Sequence, residues 1–273
     1  MNNCQVDIII IGDSKNGNKA LKALASYKNS IKIAFISRDF KSTTTFDFLN
    51  VEYIKQEVLF IDYKNRLFGC HLANGTRVYG THVIVASGLK YEPFKLHNKV
   101  VPNVFNTLVE LPKYSRDLPA IVIGKDKTDA KFALDVAKKF KHVFLCTDTF
   151  QLPDLTACTA KKLQETANIV SLPNTSINKV ILEDGQLKAA ELTSYSVVTC
   201  SAIFVKTKSE PEVNFIPKNL ITRNKDGFLE TSTSGESLLV PKIFATGNCA
   251  TKNTKQTFIN LINTIKKDFE EVI

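Results

Sequence analysis

The feature that most constrains the fold is a β-branched run from Val6 to Ile11, apolar except at Asp7, followed by the segment GDSKNG at residues 12–17. Such a run is typical of a parallel strand that is buried on both faces. Apolar residues at helical spacing come next, and a second apolar run extends from Ile31 to Ile36. Because parallel strands need a crossover connection, this order predicts a βαβ unit and an α/β fold.

The same order of elements returns in the second half of the chain. Ala120 to Ile123 is predicted as a strand, Lys127 to Phe140 as a helix and Val143 to Cys146 as a strand. The segment Leu111 to Pro119 contains two prolines and several charged residues, which is typical of a linker. A chain of 273 residues has room for two domains of ordinary size, so two domains are expected.

Composition and charge narrow the class of protein. The net charge is +9, but the lysines are scattered and occur at helix-like spacing, which argues against nucleic-acid binding and is typical of solvated helix faces. A basic surface would instead attract a phosphorylated cofactor or an acidic electron-donor protein. Neither a signal peptide nor a membrane-spanning stretch is visible, so we expect a cytoplasmic protein.

Cysteine usage points to reduced, mostly structural thiols. The six cysteines are dispersed, and they form neither a CxxC pair nor a metal-ligand spacing, so no metal site is predicted.

The first glycine-containing turn has the residues of a phosphate-binding loop. A strand that leads through Gly12 and Gly17 into a helix places backbone N–H groups and the helix dipole where a pyrophosphate can bind. Ser14 replaces the middle glycine, whose missing side chain normally lets phosphates approach the backbone. The alternative is a plain strand-to-helix turn.

The second strand ends at Ser37 and Arg38, where an acidic residue that binds ribose is expected. Ser37 is able to accept a hydrogen bond from a ribose hydroxyl. Arg38 either reaches a phosphate or lies in solvent, and the sequence leaves both possibilities open.

Five segments in order resemble motifs of one enzyme family, the thioredoxin-reductase-like branch of the FAD-dependent pyridine nucleotide-disulfide oxidoreductases. They are DIIIIGDSKNG, THVIVASG, AIVIGKDKTDAKFA, AIFVKTKSEP and PKIFATGNCATKNTKQT. The resemblance covers nearly the whole chain. It implies an α/β fold with two Rossmann-like, three-layer domains, the second inserted in the first. The expected bounds are 1–115 with 212–273 for an FAD-binding domain, and 116–211 for an NAD(P)-binding-like domain.

The resemblance also supplies candidate site residues. Ala86, Ser87 and Gly88 stand where the family has its Ala-Thr-Gly strand ending, and Gly247-Asn248 where a Gly-Asp pair holds the flavin's ribityl chain. Asparagine keeps a hydrogen bond to a hydroxyl but gives up the charge. Lys255, Gln256 and Thr257 are similar to an Arg-Gln-Ala segment that lies against the isoalloxazine ring. The alternative for this last segment is a simple helix cap.

Several departures limit what the resemblance implies. The segment AIVIGKDKTDAKFA resembles the family's second glycine-rich fingerprint for dinucleotide binding, but two of its glycines and an alanine are replaced by Lys125, Asp126 and Asp129. The two aspartates would repel a pyrophosphate. Cys146 and Thr147 stand where an arginine pair holds the 2′-phosphate of NADPH, and Lys208 replaces a glycine. These replacements argue against an NAD(P)H site.

The family's redox dithiol is missing as well. Thr107 to Glu110 occupies the place of its CxxC, and disulfide exchange needs a second thiol to resolve the mixed disulfide. Thr43 to Thr45 looks like the family's threonine-rich flavin loop, but the helix that should follow has no room before Val51.

These observations favour an FAD-dependent oxidoreductase that lacks its own CxxC and passes electrons through flavin to an acceptor, either a partner protein or a small molecule. No residue is assigned a catalytic role. One alternative is a non-catalytic relative that serves as a nucleotide-binding or structural module, and another is an NAD(H)-binding sensor. The resemblance also implies a homodimer.

Overall fold

The structure is a computed structural model that describes residues 3–28, 30–40, 48–108, 117–194 and 196–270. The threonine-rich segment Thr43 to Thr45, residues 109 and 110 of the expected CxxC position, and most of the predicted linker lie outside the described residues. Contacts within the chain define two compact units, Met1–Lys90 with Ser209–Ile273, and Tyr91–Lys208. The second unit is therefore one continuous segment inserted into the first. The sequence analysis placed this insertion at 116–211.

The described residues of the first part of the chain form one helix and strands that belong to three sheets. These elements are β1 (Asn3–Gln5), β2 (Ile8–Ile11), α1 (Lys15–Ala25), β3 (Ile33–Ser37), β4 (Val51–Lys55), β5 (Val58–Lys64), β6 (Leu67–Leu72), β7 (Arg77–Gly80), β8 (His82–Val85) and β9 (Leu89–Tyr91).

The inserted part and the return to the first unit follow. The elements are β10 (Lys95–Leu96), β11 (Lys99–Val100), β12 (Val104–Phe105), β13 (Ala120–Gly124), α2 (Lys127–Ala137), β14 (Val143–Thr147), α3 (Ala157–Glu165), β15 (Ile169–Leu172), β16 (Ile177–Glu183), β17 (Gln186–Leu192), β18 (Val197–Thr199), β19 (Ala202–Val205), β20 (Ser209–Pro211), β21 (Ile243–Ala245) and α4 (Lys255–Glu270).

The central sheet of the first unit has the strand order β21-β8-β2-β3-β4, and all its strands are parallel. Strands β2 and β8 are buried along their whole length, which explains why β2, and β8 after its first residue His82, are continuously apolar rather than alternating. A second sheet, β1-β7-β6-β5, contains a hairpin with its turn at residues 73–76 between β6 and β7, where the sequence Ala-Asn-Gly-Thr favours a turn. The predicted βαβ unit is confirmed.

Two helices cover one face of the central sheet. Helix α1 buries Ala20, Leu21 and Leu24 in the same cluster as Ile8 and Ile10 of β2, and α4 adds Leu261, Ile262 and Ile265 to that cluster. The spacing of apolar residues in the sequence predicts one buried stripe on this helix, made of Phe258, Ile259, Ile262, Ile265 and Phe269. The assignment of Ile259 is wrong, because its side chain is exposed whereas Leu261 is fully buried. The core-facing side of the helix follows the helical period through positions 258, 261, 262, 265 and 269, and position 259 lies outside it.

The second unit repeats the layout of the first. Its parallel sheet has the order β12-β19-β13-β14-β15, with α2 between β13 and β14 as predicted. An antiparallel sheet, β16-β17-β18, turns at residues 184 and 185, where both residues have positive φ. Helix α3 was not predicted, since only Thr159 and Leu163 of its nine residues are buried and they give a weak apolar period.

A buried histidine connects β8 to the last helix. The Nε2 atom of His82 lies 3.0 Å from the Asp268 carboxylate, and its ring packs on Phe269 with the ring centres 4.9 Å apart. Burial lowers the pKa of His82 below its ordinary value, an effect strengthened by Lys242 and opposed by the bond to Asp268. The folded protein therefore binds this proton more weakly than the unfolded chain does.

We expect this difference to make stability depend on pH. The contribution of neutral His82 is present above the ordinary histidine pKa of about 6.5, and it is lost as pH falls from there through the lowered pKa of the folded state. His82→Gln keeps a donor for Asp268 but does not titrate in this range, so the variant should lose part of this pH dependence. Urea unfolding at a series of pH values measures it. The control is His142→Gln at an exposed position; equal pH slopes for the wild type and His82→Gln would contradict the assignment.

Candidate functional site

The candidate residues from four sequence segments converge on one edge of the central sheet. Gly12 follows β2, Ser37 ends β3, Ala86 follows β8 and Gly247 comes two residues after β21. Carboxyl ends of parallel strands meet at the same edge, and backbone bonds from Gly12 to β3, from Ala86 to β2 and from Thr246 to β8 extend the ladders into these loops. The strand order reverses between β2 and β8, which is where open α/β sheets bind ligands.

Both fingerprint glycines are required by contacts inside the protein. Gly12 has φ +104°, and a Cβ on it would lie 2.5 Å from the Ala86 carbonyl oxygen. A Cβ on Gly17 would lie 2.1 Å from the Gly12 carbonyl oxygen. Their smallness therefore lets strand, turn and helix pack closely, whether or not a ligand is present.

Ser14 is the N-cap of α1. Its hydroxyl accepts a hydrogen bond from the Gly17 N–H at 3.1 Å. The side-chain amide of Asn18 donates to the Asp13 carboxylate and to the Ser14 carbonyl. The N–H groups of Lys15 and Asn16, in the first turn, have no acceptor within the helix. The start of α1 thus has an uncharged N-cap, and the nearby Asp13 carboxylate accepts a hydrogen bond from the Asn18 amide.

A chain of hydrogen-bonded side-chain amides joins the loop at residues 12–17 to the segment 246–253. The Asn16 amide donates to Thr246 Oγ1 and to Asn253 Oδ1, each at 3.1 Å, and the Asn253 amide donates to Asn248 Oδ1 at 3.3 Å. This network leaves the amide nitrogen of Asn248, on an exposed side chain, as a donor. Sequence reasoning missed Asn16 and Asn253. In the sequence, Asn16 is simply a polar residue between Gly12 and Gly17, and its hydrogen-bond partners lie more than 200 residues away along the chain.

The strand ending Ala86-Ser87-Gly88 lies beside Gly12. Ala86 is fully buried, and Gly88 has φ +79° with open space where a Cβ would be. The Ser87 hydroxyl oxygen is buried and has no hydrogen-bond partner of ordinary geometry among the described residues. Burial raises the pKa of the nearby Cys249 thiol, and hydrogen bonds from the Gly88 N–H and the Ser87 hydroxyl oppose that rise. Apart from this weak thiol partner the Ser87 hydroxyl is orphaned, which fits a site built for an additional polar group.

Ser37 and Arg38 have partners within the protein. The Ser37 hydroxyl donates to the Asp39 carbonyl at 3.2 Å. The Arg38 guanidinium lies 2.5 Å from Glu212 and 3.8 Å from Glu57. Arg38 is therefore held by two carboxylates, and any contact with a ribose or a phosphate would have to compete with them.

The first turn of α4 contains Lys255, Gln256 and Thr257, the segment that the resemblance places against the isoalloxazine ring. Thr254 caps this helix, because its hydroxyl accepts from the Thr257 N–H at 3.0 Å. The Gln256 amide donates to Asn260 one turn later at 2.8 Å, while Lys255 is exposed. Lys255 is the cation that α4 presents in its first turn.

The second fingerprint has a different helix start. Asp126 is the N-cap of α2, and its carboxylate accepts from the N–H groups of Thr128 at 2.6 Å and Asp129 at 3.1 Å. The Asp129 carboxylate accepts from the Lys125 N–H at 2.8 Å and lies 3.2 Å from Lys206 Nζ. The N–H bonds to Asp126 lower the pKa of its carboxyl group. Two anionic side chains thus bind the backbone donors of this loop.

The cysteines of the structure do not form a redox pair. All six are recorded as free thiols, and only Cys158 is exposed. Burial raises the pKa of Cys146 and of Cys200 to about 12, so both stay protonated at neutral pH. A thiolate is the nucleophile in disulfide exchange, and these buried positions do not supply one. In the described part of the chain, no cluster of three or more metal-ligating side chains occurs, and no helix has the length and apolar character to cross a membrane.

Comparisons with known proteins agree with the fold. Thioredoxin reductase from Lactococcus lactis, in its FR conformation, is similar with a TM-score of 0.64 at 14% identity, covering 97% of this chain and 98% of that one. The T. acidophilum enzyme gives 0.65 at 12%, covering 96% and 99%. The enzyme of Streptococcus pyogenes MGAS5005 gives 0.59 at 16%, covering 98% and 100%. No curated protein sequence matches this chain.

These structures confirm the predicted fold of two Rossmann-like domains. At such low sequence identity, the similarity shows the fold and nothing more. The family model described as pyridine nucleotide-disulphide oxidoreductase matches residues 3–266, which is nearly the whole chain. The chain therefore belongs to the pyridine nucleotide-disulphide oxidoreductase family.

Proposed function

We propose that this protein is an FAD-dependent oxidoreductase that passes electrons through its flavin to an acceptor without a redox dithiol of its own. The observation that carries the proposal is the edge of the central sheet, where a neutral helix start, an orphaned hydroxyl and an amide network meet. Bound FAD would supply reversible hydride and single-electron transfer. The family supports the cofactor, and the sequence, with no CxxC, argues against internal disulfide exchange.

The residues of this edge have separate roles in the proposal. The first turn of α1 would bind the pyrophosphate through the backbone N–H groups of Lys15 and Asn16. The amide nitrogen of Asn248, oriented by Asn253, would donate to a ribityl hydroxyl. Ser87 would use its orphaned hydroxyl on the cofactor, and Lys255 would stabilise negative charge on a reduced ring. Ser37 and Arg38 would contact the ribose end only by giving up their present partners.

The alternative of a non-catalytic relative has one observation in its favour. The side chains of Ser14, Arg38 and Gln256 each have a partner inside the protein. A site whose polar groups are satisfied by the protein itself binds a ligand less tightly than one with open donors. The absorption spectrum of freshly purified protein separates the two functions, since flavin bands support the first and their absence, together with thermal stability that ignores added FAD, supports the second.

A charge change at Ser14 tests the position of the pyrophosphate. Asp is as good an N-cap as Ser, so Ser14→Asp should preserve the helix while placing an anion at the phosphate position. We expect roughly tenfold or greater weakening of FAD binding, corresponding to at least one repulsive charge contact. FAD titration followed by isothermal calorimetry measures the effect.

Two further variants control this experiment. Ser14→Asn has the size of Asp without its charge and should bind FAD more tightly than Ser14→Asp does. Ser14→Gly restores the family's glycine and should bind at least as well as the wild type. Equal FAD affinity for Ser14→Asp and Ser14→Asn would place the pyrophosphate elsewhere.

A further inference from the structure

We infer that the dinucleotide loop of the second unit is a closed anion site, in which the carboxylates of Asp126 and Asp129 replace a pyrophosphate, so that neither NADH nor NADPH binds there. A dinucleotide loop works by presenting backbone N–H groups at a helix start to the phosphates. Here the N–H groups of Lys125, Thr128 and Asp129 already donate to these two carboxylates, at distances between 2.6 and 3.1 Å. The inference is independent of whether the first unit binds FAD.

Burial keeps Asp129 in place. Only 4% of this residue is exposed, and Lys206 lies 3.2 Å from its second carboxylate oxygen. If the carboxylate moved out, the Lys125 N–H would lose its acceptor and Lys206 its counter-ion. An incoming diphosphate would therefore have to replace a partner that is covalently attached and already desolvated.

The first unit supplies an internal comparison. Both loops connect a buried strand through a glycine to an eleven-residue helix. In the first loop, the neutral hydroxyl of Ser14 binds one N–H group, that of Gly17. In the second, two carboxylates bind three N–H groups. The same architecture is thus open to an anion in one unit and filled by one in the other.

The lysines around the second loop do not reverse this conclusion. Lys125 and Lys127 are exposed side chains, and exposed charges attract a phosphate only weakly and are screened by salt. At the end of β14, where a cation would be needed for a 2′-phosphate, Cys146 and Thr147 are buried and uncharged. The Thr147 hydroxyl donates to the Thr149 carbonyl at 2.8 Å, so it has a partner as well.

Calorimetric titration with NADPH and, separately, with NADH tests the inference on the full-length protein in the presence of saturating FAD. We expect no saturable binding of either nucleotide up to about 1 mM, the range of very weak affinity. The double variant Asp126→Ser, Asp129→Asn keeps neutral acceptors at both positions and should gain about tenfold in affinity for each carboxylate removed. Asp135→Asn, on the exposed side of the same helix, removes one carboxylate far from the loop and should gain nothing.

An NMR measurement on the wild type covers the case in which the double variant fails to fold. The amide protons of Lys125, Thr128 and Asp129 should be protected from exchange without any ligand, and their shifts should not respond to NADPH. Saturable micromolar binding of either nucleotide with shifts at these amides would overturn the inference. Failure of FAD to bind would overturn the proposed function instead and leave this result unaffected, because the nucleotides are titrated separately.

Discussion

Gly17→Ala is expected to lower the free energy of unfolding by about 3 kcal/mol or more, the range reached when a core is overpacked against rigid atoms. The new methyl group would lie 2.1 Å from the Gly12 carbonyl oxygen, a backbone atom of a residue whose own N–H is bonded to Ile36 of β3 at 2.8 Å. Alanine is a better helix former than glycine by about 1 kcal/mol, which offsets only part of the loss. Chemical denaturation of the purified variant measures the change.

Gly75→Ala is the matched control in the same unit. Gly75 has φ +82°, but no atom lies within 4 Å of its potential Cβ, so the variant reports the cost of the left-handed backbone alone, about 1–2 kcal/mol. If Gly17→Ala cost no more than Gly75→Ala, the close packing at the fingerprint would be disproved. If the proposed FAD site is right, substitutions at Gly12 or Gly17 would also weaken FAD binding by damaging the fold, so only the Ser14 variants locate the cofactor.

Asp129→Ala is expected to lower the free energy of unfolding by about 2–4 kcal/mol, because it leaves the partly buried Lys125 N–H without an acceptor and Lys206 without its counter-ion. Asp126→Ala should cost less, since Asp126 is an exposed N-cap whose backbone donors can bind water instead. Lys206→Met should also destabilise the protein, because it leaves the Asp129 charge buried with only one polar partner. Urea unfolding of the three variants gives the order of the effects.

Asp135→Ala controls for loss of a carboxylate from α2, and its exposed pair with Lys138 predicts a change within about 0.5 kcal/mol. If Asp126→Ala destabilised the protein more than Asp129→Ala does, the buried carboxylate would not be the main acceptor of this loop.

The sequence was sufficient for the architecture, because the apolar runs at 8–11 and 120–123 are continuous and each leads into a glycine turn. The register of α4 was predicted only in part, since Phe258 and Ile259 are adjacent and the apolar pattern alone did not decide which of them faces the core. The two glycines, the serine and the strand endings that the sequence offered as cofactor-binding candidates lie at one edge of the sheet, because parallel strands bring their carboxyl ends together. Their role in binding a cofactor stays a prediction.

The direction of individual side chains was beyond sequence reasoning. The repulsive charge of Asp126 and Asp129 was predicted, but their bonds to three N–H groups depend on the rotamers of the two carboxylates. The sequence left open whether Arg38 binds a phosphate or lies in solvent. In the structure it is paired with Glu57 and with Glu212, which is 174 residues away. Asn16 meets Asn253 across 237 residues. Contacts of this range leave no periodic signal along the chain.

The discontinuous first unit has a consequence for the order of events during synthesis. Strand β8 needs β21 as its neighbour, and the loop at Asn16 needs Thr246 and Asn253, so the sheet edge is incomplete until the ribosome has produced the last part of the chain. The inserted segment, Tyr91–Lys208, contains all the strands of its own parallel sheet and has no such requirement. Contacts between distant residues also slow folding. While the insertion is being synthesised, the first unit therefore has β8 without its β21 neighbour, and the part of its core that α4 covers stays open to water.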